Sequence, residues 1–171
     1  NPLSADLNVM RQTLLFNTME AVQLNANRRN GNLRLYEFGN CYFYDEAARD
    51  AEKPLSSYSE QYRLAIAVTG AAVPQSWNAK PQASSFFTLR AVAEKLLRRF
   101  GLDIYALKCE PLQSDLFGDG ISLSAGNGRE LLQMGVVAPR IRRAFDLKQE
   151  VYYLEMNFDA LVKSTRKHRI A

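Results

Sequence analysis

Residues 1–31 carry apolar side chains at the spacing of an α-helix, and two apolar stripes run along the segment. The first stripe comprises Leu7, Met10, Leu14 and Ala21, and the second comprises Leu15, Met19, Val22 and Ala26. A helix on a protein surface normally needs only one such stripe. Two interpretations stay open: a central helix buried by its own domain, or a helix that packs on its own sheet with one stripe and on another subunit with the other.

The same segment also predicts where this first helix begins and ends. Ser4 or Asp6 is expected to cap its free N–H groups with a side-chain oxygen. The dipeptide Asn30-Gly31 is expected to end it, because glycine tolerates the left-handed backbone conformation.

Residues 32–46 alternate between two faces with the period of a β-strand. One face would carry Leu33, Leu35, Glu37 and Gly39, and the other would carry Arg34, Tyr36 and Phe38. The segment ends in Asp45 and Glu46. Carboxylates beside aromatic side chains are one arrangement that an active site can have. A solvated acidic loop at the rim of an ordinary sheet explains the same residues, and this is the favoured interpretation.

The remaining segments predict an antiparallel sheet with flanking helices. Further strands are expected at 62–72, 104–110, 120–126 and 129–137, and further helices at 84–103 and 138–146. Residues 150–162 are expected to form a last strand that runs toward a short helical turn. Most strands follow one another without a helix between them, which favours the α+β class over a doubly wound parallel sheet. A chain of 171 residues supports one core, so a single domain spanning 1–171 is expected.

Composition narrows the chemistry without identifying it. The net charge of +4 permits a nucleic-acid partner without demanding one. Two cysteines and one histidine do not make a standard zinc site without added carboxylates. The sequence has neither a Walker loop nor a G-x-G-x-x-G motif. No apolar run approaches the roughly 20 residues that a membrane span needs, so no membrane partner is expected.

Basic side chains gather in three local clusters. The clusters are Arg90, Arg98 and Arg99; Arg140, Arg142 and Arg143; and Arg166, Lys167 and Arg169. A phosphate-binding surface uses such charge, but solvated helix faces have the same appearance. RNA contact therefore stays an open hypothesis, with four candidate residues, Arg98, Arg99, Arg142 and Arg143.

Several sequence blocks carry a family resemblance. Residues 1–4 read NPLS, residues 9–15 read VMRQTLL, and residues 34–39 read RLYEFG. These blocks resemble the Asn-Pro-(Leu/Ile)-Ser, "VMRxxLL" and "RLFEIG" motifs of the bacterial phenylalanyl-tRNA synthetase β subunit family, in its catalytic-like core. Residues 84–102 and 131–162 are similar to later motifs of that family, so the resemblance covers nearly the whole chain.

The resemblance implies a fold, an assembly and a role. The fold would be that of class II aminoacyl-tRNA synthetases, an antiparallel sheet flanked by helices. The chain would be a fragment of a longer β subunit in a cytoplasmic α2β2 enzyme that charges tRNA(Phe) with phenylalanine. The first helix would correspond to motif 1, the element that packs against the α subunit. The implied interface residues are Asn1, Pro2, Leu7, Met10, Arg11, Leu14 and Leu15, and the candidate RNA contacts above would meet tRNA.

The resemblance also implies that this domain is an inactive copy. Working class II enzymes hold the α-phosphate of ATP with an arginine on the hairpin that residues 32–46 would begin, and they place a second arginine in a Gly-rich motif 3. Residues 40–45 contain no arginine, and no Gly-rich motif 3 follows. Catalytic, metal and cofactor residues are therefore expected to be absent here, with ATP and Mg²⁺ used elsewhere in the holoenzyme. The alternatives are a stand-alone RNA-binding module and an active class II-type enzyme.

Overall fold

The structure is a computed structural model that describes residues 9–78 and 80–165. In chain order its elements are α1 (Leu15–Asn27), β1 (Leu33–Tyr44), β2 (Tyr58–Thr69), β3 (Ala71–Val73), β4 (Gln82–Ala83), α2 (Phe86–Arg99), β5 (Lys108–Pro111), β6 (Phe117–Ser124), β7 (Glu130–Val137), α3 (Pro139–Ala144), β8 (Val151–Asn157) and α4 (Phe158–Thr165). Short 3₁₀ turns lie at Glu46–Ala48 and Ile104–Ala106, and the second of these replaces the start of the strand predicted at 104–110.

Six of the described strands form one sheet in the order β1-β2-β8-β7-β6-β5, and every neighbouring pair is antiparallel. β1 pairs with β2 along its full length, from Leu33 opposite Thr69 to Tyr44 opposite Tyr58. β3 and β4 form a small separate ribbon, in which β3 overlaps the end of the strand predicted at 62–72, whereas β4 lies outside the predicted strands. The predicted α+β class with an antiparallel sheet is confirmed.

Helices cover both faces of the sheet, and each face has its own apolar core. On β8, Tyr153 packs on the side of α1 and α3, whereas Leu154 packs on the side of α2 and α4. This alternation is the period of two that a strand imposes on its side chains. The same alternation appears in β1, where Leu33 and Cys41 are buried on the α1 side.

The first helix begins later than the sequence pattern predicts. Residues 9–14 are not helical, and α1 starts at Leu15. The reason is a long-range contact: the Thr13 hydroxyl and the Leu14 backbone N–H donate to the carboxylate of Glu155, at 2.5 and 3.1 Å. The Thr13 hydroxyl oxygen also accepts from the Leu15 N–H at 3.1 Å. The predicted caps at residues 4 and 6 lie outside the described residues.

The end of α1 also differs from the prediction. The last helical residue is Asn27, and the residue in the left-handed conformation is Arg29, with φ 62°, rather than Gly31. The Asn30 N–H donates to the Asn25 carbonyl at 3.0 Å, which is the longer hydrogen bond of a Schellman motif. This bond satisfies a helix carbonyl, which offsets part of the cost of a left-handed arginine.

Within residues 9–78 and 80–165, no helix combines the length and the apolar character that crossing a membrane requires.

Candidate functional site

A buried carboxylate on the central strand β8 organises the α1 face of the sheet. Glu155 is only 7% exposed. Its Oε1 accepts from Arg63 Nη1 at 2.6 Å, and its Oε2 accepts from the Tyr153 hydroxyl at 2.6 Å. The same Oε2 receives the hydrogen bonds from Thr13 and Leu14. A buried carboxylate needs such partners, because desolvation penalises an unpaired charge.

Arg63, on β2, is held in place from several sides. Its Nε and Nη2 donate to Gln61 Oε1 at 3.2 and 2.8 Å. Its guanidinium also lies over the ring of Phe43, 4.8 Å from the ring centroid, in a cation–π arrangement. Together with the ion pair to Glu155, these contacts leave the arginine little freedom to turn toward a ligand.

A second ion pair lies at the outer edge of the sheet, where the segment before α1 crosses β1. Arg11 Nη1 meets Glu37 Oε1 at 2.7 Å, and Arg11 Nε donates to the Asn40 carbonyl at 3.0 Å. The Arg11 carbonyl accepts from the Tyr42 N–H at 2.9 Å. A Cβ on Gly39 would lie 2.0 Å from Arg11 Nη2, so the glycine leaves the space that the guanidinium fills.

A cavity of about 570 Å³ opens between the segment before α1 and this face of the sheet. Its lining includes the charged side chains of Arg11, Arg63 and Glu155, and each of them already has a partner of opposite charge. Three of the apolar side chains that line the cavity are exposed: Val9 at 82%, Met10 at 61% and Phe16 at 46%. The cavity therefore presents apolar surface rather than free charge.

Burial under this network changes the acidity of two side chains. Burial raises the pKa of the Cys41 thiol to about 11, and the nearby Glu155 carboxylate acts in the same direction. Burial, and then the charge of Glu155, also raises the pKa of the Tyr153 hydroxyl well above its usual value. Both groups are therefore protonated at neutral pH, and Tyr153 serves as a hydrogen-bond donor to the carboxylate.

The two cysteines are expected to differ sharply in reactivity. Cys41 is fully buried and Cys109 is exposed. Because the thiolate is the reactive form, a pKa near 11 leaves Cys41 almost wholly unreactive at pH 8. We expect a thiol-reactive dye to label Cys109 at once and Cys41 only after denaturant is added. Rapid labelling of a native Cys109→Ser variant would contradict the buried placement of Cys41.

The carboxylates at the end of β1 have structural contacts. Asp45 Oδ1 accepts from the Ala47 N–H at 3.0 Å and so caps the 3₁₀ turn. Glu46 bonds to the Tyr44 hydroxyl and forms an exposed ion pair with Arg49 at 3.3 Å. Neither carboxylate belongs to the Glu155 network. Among the described residues, no group of three or more His, Cys, Asp or Glu side chains is arranged to hold a metal ion.

The predicted interface residues fall into three groups. Asn1, Pro2 and Leu7 lie outside the described residues. Leu14 and Leu15 are fully buried against the chain's own sheet, so they are inaccessible to a partner in this structure. Met10 and Arg11 reach the surface, but they precede α1 rather than forming part of a helical stripe. Val9, Met10 and Phe16 form an exposed apolar rim of the cavity, and of these three only Met10 was among the predicted interface residues.

The four candidate RNA contacts do not form one surface. Arg98 and Arg99 end α2 on one face of the sheet, and Arg142 and Arg143 end α3 on the other. Arg98 is also ion-paired with Glu94 at 2.6 Å. RNA contact by any of these residues stays a prediction.

The model of the family described as "Phenylalanyl tRNA synthetase beta chain CLM domain" matches residues 1–158 of this chain. The chain belongs to this family. Similar proteins are named as the beta subunit of phenylalanine–tRNA ligase. The one from Bacteroides thetaiotaomicron is 44% identical to this chain over 171 residues. That of Porphyromonas gingivalis is 35% identical over 170 residues.

The chain corresponds to only part of these CLM-domain relatives. It is covered completely by the match to the B. thetaiotaomicron protein, and to 99% by the match to the P. gingivalis protein. In both comparisons the match spans 21% of the relative's own length. The activity and the partners of the whole protein therefore stay proposals for this chain.

Solved structures show that this CLM domain has the class II synthetase fold. Two structures of pyrrolysyl-tRNA synthetase from Desulfitobacterium hafniense match it with TM-scores of 0.64 and 0.63. Each match covers 92% of this chain and 50% of that chain, at 16% sequence identity. At this identity the likeness concerns the fold alone. It confirms the predicted architecture of an antiparallel sheet flanked by helices.

Sequence reasoning missed the network around Glu155. Both members of its ion pair lie inside strands that were predicted, in the runs VYYLEMN and YRLAIAV. A charged residue inside an otherwise apolar strand is a usable signal, because burying it requires a partner. The partner itself follows only from the strand order, since β2 and β8 are neighbours in the sheet but about 90 residues apart in the chain.

Proposed function

We propose that this chain is a noncatalytic domain, spanning 1–171, of a longer phenylalanyl-tRNA synthetase β subunit. Its role is assembly with the α subunit in an α2β2 enzyme that charges tRNA(Phe) with phenylalanine. ATP and Mg²⁺ act elsewhere in that holoenzyme. Membership of the β-chain CLM family and the names of the relatives support this proposal.

The observation that carries the noncatalytic role is the pairing of the arginines beside the hairpin β1–β2. A triphosphate requires fixed cations that are free to meet its oxygens. Here Arg63 is bound to Glu155 and Arg11 is bound to Glu37, at 2.6 and 2.7 Å. A phosphate that approached either arginine would also meet the repulsion of the paired carboxylate. These residues do not fit ATP.

Isothermal titration calorimetry tests the noncatalytic role directly. We expect no heat of binding when ATP and Mg²⁺ are titrated into the β subunit that contains this chain, without its α subunit. Saturable binding in the micromolar range would favour the active class II-type enzyme instead. A variant with Arg11→Gln, which changes the more exposed of the two ion pairs, identifies whether any such binding uses this face of the sheet.

The exposed rim formed by Val9, Met10 and Phe16 supports the assembly role. Large apolar side chains gathered beside a cavity are typical of interaction surfaces. Size-exclusion chromatography of the β subunit mixed with its α subunit tests this role, and co-elution is expected. A β subunit that binds RNA but never co-elutes with the α subunit would favour the stand-alone RNA-binding module.

A further inference from the structure

A second cavity lies on the α3 side of the molecule, away from the Glu155 network. It has a volume of about 460 Å³ and is lined by Pro139, Arg142, Arg143, Asp146, Leu147 and Lys148. Three of these side chains are cationic, and we call Arg142, Arg143 and Lys148 the basic pocket. A single carboxylate, that of Asp146, lines the same cavity. The cavity therefore carries a surplus of positive charge on a concave surface.

The arginine at the base of the basic pocket has an unused donor. Arg142 Nη1 donates to the Gln149 carbonyl at 3.3 Å. Its Nε is buried and has no hydrogen-bond partner in the described structure. The last turn of α3 favours a cation through the helix dipole, but that effect leaves the Nε unpaired. Because the Nε is shielded from solvent, a ligand would meet this guanidinium through its terminal nitrogens rather than through the Nε.

The cations of the basic pocket are not held in ion pairs by the described chain. None of its three cations forms an ion pair among the described residues, whereas Arg140 on the same helix is paired with Asp115.

The positive surface extends beyond the basic pocket. The Gln149 side chain donates to the Gly31 carbonyl at 2.9 Å, which holds the end of α1 beside this region. That end carries the exposed Arg28 and Arg29. The C-terminal ends of α1 and α3 thus place their basic residues on one side of the molecule.

We propose that the basic pocket binds the phosphodiester backbone of RNA. This inference rests on the proposed function, which makes RNA a partner of the enzyme. Guanidinium groups match phosphate oxygens with two parallel hydrogen bonds, and an ammonium group adds a point charge. The cavity lining contains no aromatic side chain on which a base would stack, so the contact reads the backbone rather than the sequence.

The test compares two matched double variants of the assembled α and β subunits. Arg143→Gln with Lys148→Gln removes two exposed cations of the basic pocket and leaves the half-buried Arg142 in place. Lys53→Gln with Lys95→Gln removes the same charge from exposed positions on the loop between β1 and β2 and on α2, and neither lysine lines the cavity or is a candidate RNA contact. Binding of a fluorescent tRNA(Phe) transcript is followed by anisotropy as salt rises from about 50 to 200 mM.

The slope of log K against log salt is negative, and we expect the basic-pocket variant to reduce its magnitude by roughly 1.5, since each lost phosphate contact removes about 0.7–0.9. The control variant, Lys53→Gln with Lys95→Gln, is expected to keep the wild-type slope. Equal slopes in all three proteins would overturn the inference. It would also be overturned if the basic-pocket variant lost co-elution with the α subunit at an unchanged slope, because the surface would then contact protein.

Failure of the proposed function has a separate signature. Co-elution of wild-type α and β subunits is measured on the same preparation, and its absence counts against the assembly role alone. The salt slopes are then measured with the β subunit by itself, so the basic pocket is tested in either case.

Discussion

Replacing Glu155 with glutamine is expected to lower the free energy of unfolding by about 3–5 kcal/mol, the usual cost of removing one member of a buried ion pair. The carboxylate compensates the charge of Arg63, whose side chain is 22% exposed. It also accepts from Tyr153, Thr13 and the Leu14 N–H. A neutral amide has one acceptor oxygen for these donors and adds donors of its own.

The loss is measured by urea unfolding, against a control that neutralises a carboxylate in an exposed ion pair. Glu110→Gln is such a control, because the Glu110 side chain is 54% exposed in its pair with Lys108. Exposed pairs contribute at most about 1 kcal/mol, so the control should unfold almost like the wild type. Similar midpoints for both variants would show that the Glu155 network does not hold this face of the sheet together.

A double-mutant cycle separates the ion pair from the rest of the network. If Glu155 acts mainly by compensating Arg63, then Glu155→Gln combined with Arg63→Gln should cost less than the sum of the single substitutions. The residual loss would then report the donors on the segment before α1 and on Tyr153. Strict additivity would mean that the two side chains, although 2.6 Å apart, stabilise the fold independently.

The strand β1 shows what local sequence pattern predicts well. Its alternation places Leu33 and Cys41 on the buried face and Tyr36 on the exposed face, where Tyr36 is 77% accessible. The pattern is informative because one face of an antiparallel sheet edge packs on a core and the other meets solvent. The partner of β1 was also predictable, since β1 and β2 follow each other in the chain.

The start of α1 shows what local pattern does not predict. The helical spacing of apolar residues continues back to Met10, which predicts helix there. In the structure, however, the helix begins only at Leu15. Thr13 and Leu14 donate the hydrogen bonds that redirect the chain, and the acceptor, Glu155, lies 141 positions along the chain from Leu14. The spacing of apolar residues reports only on residues within a few helical turns, so it does not predict a contact between residues this far apart in the chain.

Part of the candidate site could be predicted from local sequence, whereas its ion pair depends on contacts that are distant in the chain. The absence of arginine from residues 40–45 could be read from the sequence, and the structure adds that Phe43, within this run, packs beneath Arg63. The insertion of β8 between β2 and β7 is a property of the whole topology. Glu155 lies beside Arg63 only because of that insertion. The ion pair could therefore not be predicted without the strand order.

Aspartate substitutions at two positions of the segment before α1 are expected to differ in their effect on folding. Leu14→Asp is expected to abolish stable folding, because Leu14 is fully buried and its backbone N–H already bonds to Glu155. Loss of a buried leucine alone costs about 2–5 kcal/mol, and an unpaired buried carboxylate adds several more. That sum approaches the roughly 5–15 kcal/mol by which domains are stable. Circular dichroism on heating measures the effect.

Met10→Asp introduces the same charge four positions earlier, where the side chain is 61% exposed. The free energy of unfolding should change by no more than about 0.5 kcal/mol, since exposed positions tolerate charge. Co-elution with the α subunit should nevertheless weaken, because the exposed rim would bury the new carboxylate against its partner. A Leu14→Asp protein that melts like the wild type would contradict the buried position of Leu14. Unchanged co-elution of Met10→Asp would show that the rim formed by Val9, Met10 and Phe16 is not the assembly surface.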